Sequence, residues 1–368
     1  MQKKITLSVL LSAAVASLAH AGATIPIGDD KSLSVGFGAR GSYTSAKDGA
    51  PDGSRSNDFN LDSARLFFGA SLNKNIKGML NTEWDGDQIR VLDAAAQFTF
   101  SPELNVWAGR LLSPSDRANM AGPYYSLGGG YWAGVASRYG YNGGIFRGRD
   151  DGVVVWGNAA DGKLGYSFGA FEGHTFGIGS LIQKEAKAAG VKADDSLMYA
   201  GRVQYDFWDA EPGYYGTGNY LGSKDILAIG LAARYQKDGV LTVAKNGDYK
   251  AWNLDFLLEK RLEGGAVSVE AAYYNYDNGD VILAEQGKAW STGLAYVFNL
   301  APGQGKLQPF VQYQKFNPDN NIDVKQTDVG VNYIIDGYNA QLSAKYSKTK
   351  TVAAADQSKF VVALQVQY

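Results

Sequence analysis

The sequence lacks residues on which much enzyme and metal chemistry depends: it has 368 residues but no cysteine and only 2 histidines. Without cysteine the chain can form neither a disulfide nor a thiolate metal site, and it has no thiol nucleophile. His20 lies in an N-terminal apolar segment, so a Ser-His-acid triad would depend on His174 alone. The sequence therefore predicts no enzyme activity, no cofactor and no metal site.

A surplus of positive charge is also absent. The chain has 35 lysines and arginines against 37 acids, a formal net charge of -2. Proteins that bind DNA or RNA usually carry a strongly basic surface. The charge balance therefore predicts no nucleic-acid partner.

Long hydrophobic runs are missing except near the N terminus. Residues 1–4 (MQKK) are followed by an apolar run from Ile5 to Leu18 and by residues 19–21 (AHA). A basic start, a short apolar region and a small-residue site are typical of a secretory signal peptide. We expect residues 1–21 to be removed on export and residues 22–368 to form the mature protein. A spanning helix needs about 20 apolar residues, so no transmembrane helix is predicted.

The sequence is rich in glycine (46), in tyrosine (23) and in segments that alternate apolar with polar residues. From Phe360 to Tyr368 every even-numbered residue is apolar or aromatic, whereas Gln365 and Gln367 are odd-numbered. Successive side chains of a strand point to opposite faces, so this alternation indicates strands. It predicts sixteen strands, near 33–44, 59–72, 77–86, 89–100, 104–112, 151–159, 163–173, 196–208, 225–236, 249–262, 265–276, 288–299, 307–316, 325–335, 338–348 and 358–368.

The links between these strands are alternately short and long. Two links break the rule: 87–88 is short among the long loops, and 209–224 is long among the short turns. Many alternating strands, short turns at one end, long loops at the other and apolar faces that end in Tyr or Trp are typical of an outer-membrane barrel. We therefore predict an all-β, antiparallel transmembrane barrel of about 16 strands, with a short helix at 180–189 in one loop. A soluble β-sandwich is the other fold that the pattern allows.

Residues 113–149 form a long loop with seven aromatic residues, nine glycines and four arginines against the single acid Asp116. A loop of this length is usually functional or disordered, and disordered segments are poor in aromatic residues. It would be the third external loop, and we expect it to fold into the barrel and narrow its interior. We expect its arginines to form an anion-binding constriction, namely Arg117, Arg138, Arg147 and Arg149. We expect its aromatic residues to pack it against the wall, in particular Tyr124, Tyr125, Tyr131 and Trp132.

Alternation also predicts which charged residues of the wall face the lumen. The bases are Arg40, Arg65, Arg110, Arg202, Arg234, Arg261 and Lys345. The acids are Glu83, Asp85, Asp93, Asp206, Asp255, Glu259, Glu270 and Asp328. Seven bases against eight acids leave the wall nearly neutral, so the loop would be the main source of positive charge. A unit pair at 4 Å in water is worth only about 1 kcal/mol, and salt screens it over about 8 Å, so only a mild preference is expected.

Four short segments match a known family. They are residues 59–66 (FNLDSARL), 106–110 (VWAGR), 149–153 (RDDGV) and 211–215 (EPGYY). Through them the chain, from about residue 33 onward, resembles the phosphate-selective porin O and P family. The resemblance implies a homotrimer in the outer membrane of a Gram-negative bacterium, in contact with lipid and lipopolysaccharide, with loop arginines that attract anions. The chain departs from the family in lacking a dense run of lumen-facing lysines.

Taken with the residue patterns, the resemblance predicts a channel for passive diffusion of small hydrophilic solutes with a mild, phosphate-like anion preference. Two alternatives stay open. One is a general or sugar-type channel, in which loop aromatic rings stack on sugar faces. The other is a plugged barrel that acts as a receptor or anchor. The last strand carries Phe360 and Tyr368, and we expect the outer-membrane assembly machinery to recognise this aromatic end.

Overall fold

The protein folds almost entirely as β-strands. The computed structural model describes residues 22–28, 30–84, 86, 88–130, 134–139, 148–173, 180–299 and 303–368, so the predicted signal peptide at 1–21 lies outside the described residues. In these ranges the elements are β1 (Ala23–Pro26), β2 (Ser32–Ala46), β3 (Ser56–Ser71), β4 (Ile76–Trp84), β5 (Ile89–Ser101), β6 (Leu104–Leu112), α1 (Arg117–Ala121), β7 (Arg149–Ala159), β8 (Leu164–Phe171), α2 (Ser180–Ala188), β9 (Met198–Asp206), β10 (Ile226–Leu241), β11 (Asn246–Leu262), β12 (Gly265–Asp277), β13 (Gly287–Phe298), β14 (Lys306–Pro318), β15 (Val324–Asp336), β16 (Ala340–Thr351) and β17 (Gln357–Gln367).

Strands β2 to β17 form one antiparallel sheet in which each strand pairs with its neighbours in the chain. The sheet closes because β17 also pairs with β2, from Gly38 opposite Gln367 to Ala46 opposite Lys359. At the seam the backbone N of Phe37 donates to the Tyr368 carbonyl at 2.7 Å, and the return bond is 2.8 Å long. The result is a closed barrel of sixteen strands, which confirms the predicted fold class.

Each predicted strand corresponds to an observed one within a few residues, with two differences. The four-residue β1 was not predicted; it pairs with the start of β2, in line with the end of β17. The predicted long loop at 237–248 is mostly strand, since β10 continues past a bulge at Gln236/Val240 and pairs again at Val240–Gly247. Asp238 adopts φ 52° within that bulge. The alternation is interrupted there, which is why the sequence pattern ended early.

The two faces of the wall differ in exposure and in polarity. On β11, for example, Trp252 and Leu254 are exposed, whereas Asn253 and Asp255 are buried. Exposed apolar side chains cover the outer face all round the sheet, and buried positions point inward. Outward aromatic pairs lie near both rims, as Trp290–Tyr313 and Tyr296–Phe298 do with ring centroids 4.7 and 4.8 Å apart. Such an outer face is suited to hydrocarbon between two aromatic belts.

The links lie at two ends of the barrel. We call the end at which β2 starts and β17 finishes the terminal end, and the opposite one the loop end. Links at the terminal end are short except for residues 207–225, which we call the inner turn. The predicted helix at 180–189 is confirmed as α2, which Gly190 follows at φ 82°. No helix in the described ranges is long and apolar enough to cross a membrane.

The two faces allow a matched test on β15. Val329 is 54% exposed at the middle of the strand, on the outer face. Gln326 lies on the inner face and donates to the Asp328 carboxylate at 2.9 Å. Arginine on a lipid face near the midplane costs about 2–4 kcal/mol, whereas an inward arginine at 326 can pair with Asp328. We expect Val329→Arg to lower the heat-modifiable folded fraction on gels far more than Gln326→Arg. Equal losses would contradict the assignment of faces.

Candidate functional site: the barrel interior

Five of the predicted lumen bases lie on the inner face of the wall. They are Arg40 on β2, Arg65 on β3, Arg202 on β9, Arg234 on β10 and Lys345 on β16. The predicted acids lie buried on the same face, with Asp85 outside the described residues: Glu83, Asp93, Asp206, Asp255, Glu259, Glu270 and Asp328. The period of two along each strand is enough to bring these groups into one interior.

The prediction that Arg110 faces the lumen is wrong. Its side chain is 46% exposed and donates to both carboxylate oxygens of Asp151 on β7, at 2.7 and 2.8 Å. Asn105 and Trp107 take the inward positions of β6, so Arg110, of the opposite parity, falls on the outer face. The predicted inward Arg261 lies at the rim of the terminal end instead, 53% exposed and 3.1 Å from Asp225.

Acids neutralise most of the inward arginines. Arg65 Nε lies 2.5 Å from Glu83, and Arg202 Nη1 lies 2.5 Å from Asp255. Arg40 has a longer contact, 3.7 Å, with Asp62. Buried charges are costly unless paired, so this pairing is what the low-dielectric interior requires. Arg65 and Arg202 therefore add little free charge to the wall.

The described parts of the loop 113–149 contact inner-face residues of strands all round the barrel. Tyr124 Oη donates to Ser63 on β3 at 3.0 Å, and Gln365 on β17 donates to the Tyr124 carbonyl at 3.0 Å. Asn332 on β15 donates to the Leu127 carbonyl at 3.0 Å. Arg234 Nη2 on β10 donates to Ser113 Oγ at 2.7 Å. These bonds tie the loop to the wall at residues that are far apart in the sequence.

The loop arginines are less free than the sequence suggests. Arg117 is 2% exposed and bonds both oxygens of Glu211. Arg138 lies 3.5 Å from Glu285, and Arg149 lies 3.1 Å from Asp93. Arg147 lies outside the described residues. Every described loop arginine therefore has an acid beside it.

Two of the four predicted aromatic residues, Tyr124 and Tyr125, can be placed; Tyr131 and Trp132 lie outside the described residues. Tyr124 is buried, and Arg65 lies over its ring with Cζ 5.3 Å from the centroid. Tyr125 packs edge-on against Tyr338 with centroids 5.0 Å apart. Both rings therefore hold the loop against the wall.

The inner turn is the part of the barrel interior that the sequence pattern did not predict. It starts from the terminal end, yet it meets the loop that comes from the opposite end. Gly218 N donates to the Tyr125 carbonyl at 2.8 Å, and Tyr214 Oη donates to the Leu112 carbonyl at 2.5 Å. The sequence offered two signals: the turn is long where the other turns at this end are short, and it is rich in tyrosine. Neither signal shows that the turn runs into the barrel.

Arg117 is the centre of the contact between loop and inner turn. Its guanidinium donates to Glu211 at 2.9 and 2.6 Å, to the Thr217 carbonyl at 2.9 Å and to Gln204 at 3.0 Å. Burial alone would raise the pKa of Glu211, but the Arg117 charge and hydrogen bonds outweigh it and hold that pKa below its usual range. This ion pair stays charged at neutral pH.

Asp116, the residue before Arg117, is fully buried. It accepts hydrogen bonds from Ser137 Oγ at 3.0 Å and from Tyr274 Oη at 2.9 Å. Burial raises the pKa of Asp116 to about 6, with a further contribution from the nearby Asp255, although the Tyr274 and Ser137 bonds and Arg202 oppose the shift. Asp116 therefore titrates much closer to neutrality than an exposed aspartate.

Two cavities lie between the loop, the inner turn and the wall. Cavity A, about 540 Å³, is lined by loop residues 119–125 and by wall residues that include Arg65, Asp93 and Arg149. Cavity B, about 500 Å³, is lined by Trp156, Asn158 and Arg202 of the wall and by inner-turn residues that include Glu211. In the described ranges no acidic or histidine side chains come together as a metal site.

Comparison with known proteins yields similarity in structure only. No protein-family model and no curated protein matches the sequence. An anion-selective porin from Comamonas acidovorans aligns with a TM-score of 0.62 at 13% identity, over 92% of this chain and 100% of that one. The outer membrane channel DcaP of Acinetobacter baumannii gives 0.58 at 10%, over 92% and 98%. The trimer form of OmpT, an outer membrane protein of Vibrio cholerae, gives 0.57 at 12%, over 92% and 100%. The chain has the fold of an outer-membrane porin.

Within this porin fold, the Arg117–Glu211 pair should contribute far more to stability than an exposed pair. Losing one partner of a buried pair costs about 3–5 kcal/mol, whereas an exposed pair contributes about 0–1 kcal/mol. Lys237 and Asp194, 56% and 67% exposed, provide the control. We expect Arg117→Gln to lower the free energy of unfolding in lipid vesicles, and Lys237→Gln to leave it nearly unchanged. Adding Glu211→Gln to Arg117→Gln should recover part of the loss; no recovery would contradict a buried ion pair.

Asp116 should make stability depend on pH. Because its folded pKa of about 6 exceeds the unfolded value near 3.8, the folded state binds the proton more tightly. Stability therefore rises as pH falls through 6, by about 1 kcal/mol between pH 7.5 and pH 5. Urea unfolding at the two pH values should show this gain in the wild type, and a smaller one in Asp116→Asn. An equal gain in stability between the two pH values in both proteins would exclude Asp116 as the source of the pH dependence.

Proposed function

We propose that this chain forms an outer-membrane channel for passive diffusion of small hydrophilic solutes, after export and removal of residues 1–21. The observation that carries the proposal is the closed barrel with an apolar outer face and a polar inner face. In hydrocarbon every backbone N–H and C=O must pair within the protein, and closure of the sheet provides this. The terminal end would face the periplasm, and the loop end the exterior.

The expected anion preference needs a source besides Arg117, Arg138 and Arg149, the loop arginines that the structure describes. Arg117, Arg138 and Arg149 each stand beside an acid, so the described part of the loop supplies little uncompensated charge. Arg40 is better placed, because its acid is 3.7 Å away and its buried Nη1 has no hydrogen-bond partner among the residues that the structure describes. Lys345, on the other side of β17, forms no ion pair with any residue that the structure describes. We attribute a mild, phosphate-like anion preference to these two residues.

Assembly and surroundings are part of the same proposal. The resemblance to the phosphate-selective porin family supports a homotrimer in contact with lipid and lipopolysaccharide. The similarity in fold to a trimer form of an outer membrane protein supports the same assembly. The outward Phe360 and Tyr368, 42% and 59% exposed, suit recognition by the assembly machinery.

A sugar-type channel is the second candidate. The observation in its favour is the number of aromatic rings around the cavities: Tyr124 and Tyr125 line cavity A, and Trp156 and Tyr214 line cavity B. Aromatic faces with polar groups beside them suit a solute that has both apolar faces and hydroxyls. Block of the ion current by added sugars would favour this candidate over an anion channel.

The contact between loop and inner turn favours a third reading, in which the barrel is plugged and acts as a receptor or anchor. Ion conductance of the purified protein in a planar bilayer separates this reading from both channel candidates. Stable single-channel steps are expected of a channel. A folded, inserted protein that passes no current would support the plug.

Ion selectivity in a salt gradient tests the source of the anion preference. Neutralising Arg40 and Lys345 together, as Arg40→Gln with Lys345→Gln, should shift the zero-current potential toward cations. Neutralising an existing pair, as Arg149→Gln with Asp93→Asn, leaves the net charge unchanged and should leave the potential near the wild-type value. Both potentials should converge as salt rises, because screening shortens the reach of each charge. If the Arg149→Gln, Asp93→Asn variant shifts the potential as much as the Arg40→Gln, Lys345→Gln variant does, Arg40 and Lys345 are not the source of the selectivity.

A further inference from the structure

The two interior cavities are divided by very few residues. The linings of cavities A and B have three residues in common: Met120, Tyr215 and Gly216. Met120 comes from α1 in the loop, whereas Tyr215 and Gly216 come from the inner turn. A thin partition, to which both ends of the barrel contribute, therefore lies between cavities A and B.

Tyr215 differs from the tyrosine beside it. Tyr214 is anchored, since its hydroxyl donates to the Leu112 carbonyl at 2.5 Å. The buried Tyr215 hydroxyl has no hydrogen-bond partner in the part of the chain that the structure describes. Its ring packs within an apolar cluster, with centroids 5.3 Å from Tyr214 and 6.1 Å from Trp107. Turning the Tyr215 side chain therefore breaks no hydrogen bond.

The backbone on both sides of Tyr215 is held in place. Upstream, Glu211 is bonded to Arg117 at 2.6 Å, and Gly213 N donates to Asn158 at 2.9 Å. Downstream, Gly218 N donates to the Tyr125 carbonyl at 2.8 Å. Gly216 adds no side chain next to the ring. Movement at the partition is thus confined to the side chains of Tyr215 and Met120, and Met120 has a flexible thioether that adapts to its surroundings.

We propose that Tyr215, with Met120 against it, sets the size limit for solutes that pass between cavities A and B. The proposal rests on the channel function, and it names the residue that a solute must displace. With Tyr215 in place the two cavities are separate. When its ring turns aside, they join into one polar path through the region where the loop and the inner turn meet.

Removing the ring tests the proposal. Single-channel conductance in planar bilayers and swelling of liposomes in sugars of increasing size give two readouts. We expect Tyr215→Ala to raise conductance and to admit larger sugars. Tyr215→Phe should match the wild type, because the hydroxyl bonds to no residue in the described ranges. Tyr125→Ala is the matched control: it removes the same ring from the lining of cavity A alone, so it should enlarge that cavity without joining the two.

A thiol at the partition gives a readout that does not depend on loss of packing. Because the chain has no cysteine, Tyr215→Cys creates a unique reactive site. Charged methanethiosulfonate reagents should enter through the channel, attach to this thiol and lower the conductance. Reduction of the mixed disulfide should restore it. The wild-type protein, treated in the same way, should not respond.

The outcomes separate this proposal from the channel function. A conducting wild type whose conductance and size limit do not change in Tyr215→Ala would overturn the role of Tyr215. So would an equal increase in Tyr125→Ala. If the folded wild type passes no current but Tyr215→Ala does, the open-channel function fails and the partition stands. If neither conducts, both proposals fail.

Discussion

Closure of the sheet is the constraint on which the rest of this structure depends. Each of the sixteen barrel strands has a paired neighbour on both edges, and the β17–β2 seam supplies the last pairing. A closed sheet has no unpaired edge, so the backbone is satisfied without a conventional apolar core. Closure also gives every strand an inside and an outside. The alternation of side chains then becomes a division between an apolar exterior and a polar interior.

The polar interior creates a second constraint, because charges removed from bulk water must be compensated. On the inner face of the wall, Arg65 pairs with Glu83 and Arg202 pairs with Asp255. Arg117 of the loop pairs with Glu211 of the inner turn, and these two segments start from opposite ends of the barrel. That last pair fastens the loop to the inner turn. The same bond therefore neutralises charge and fixes where the loop and the inner turn meet. Arginine content alone overstates how much uncompensated positive charge the interior carries.

Strand positions were predictable because a half-buried strand must repeat every two residues. The pattern located all sixteen barrel strands, and the helix α2 was predicted separately within a loop. It failed at β10, where a bulge interrupts the period, and at Arg110, whose inward assignment does not fit the parity of Trp107. Inward placement of Arg40, Arg65, Arg202, Arg234 and Lys345 followed from the period of two. The acid that pairs with each base could not be predicted in this way. Glu83 pairs with Arg65 because of the register between their strands, which the sequence does not display.

By itself the sequence determined the local structure and the faces: which segments are strands and which side chains turn inward. These depend on residues two positions apart, and a linear pattern records them. Only the tertiary structure decided that the turn from Phe207 to Asp225 runs inward and meets the loop. It also decided that Arg117 is neutralised by Glu211, and that Tyr215 lines both cavities with a hydroxyl that bonds to none of the described residues. These contacts join residues up to about a hundred positions apart, and the free energy that selects them, from charge pairing and ring packing, exists only once the barrel has brought both ends together.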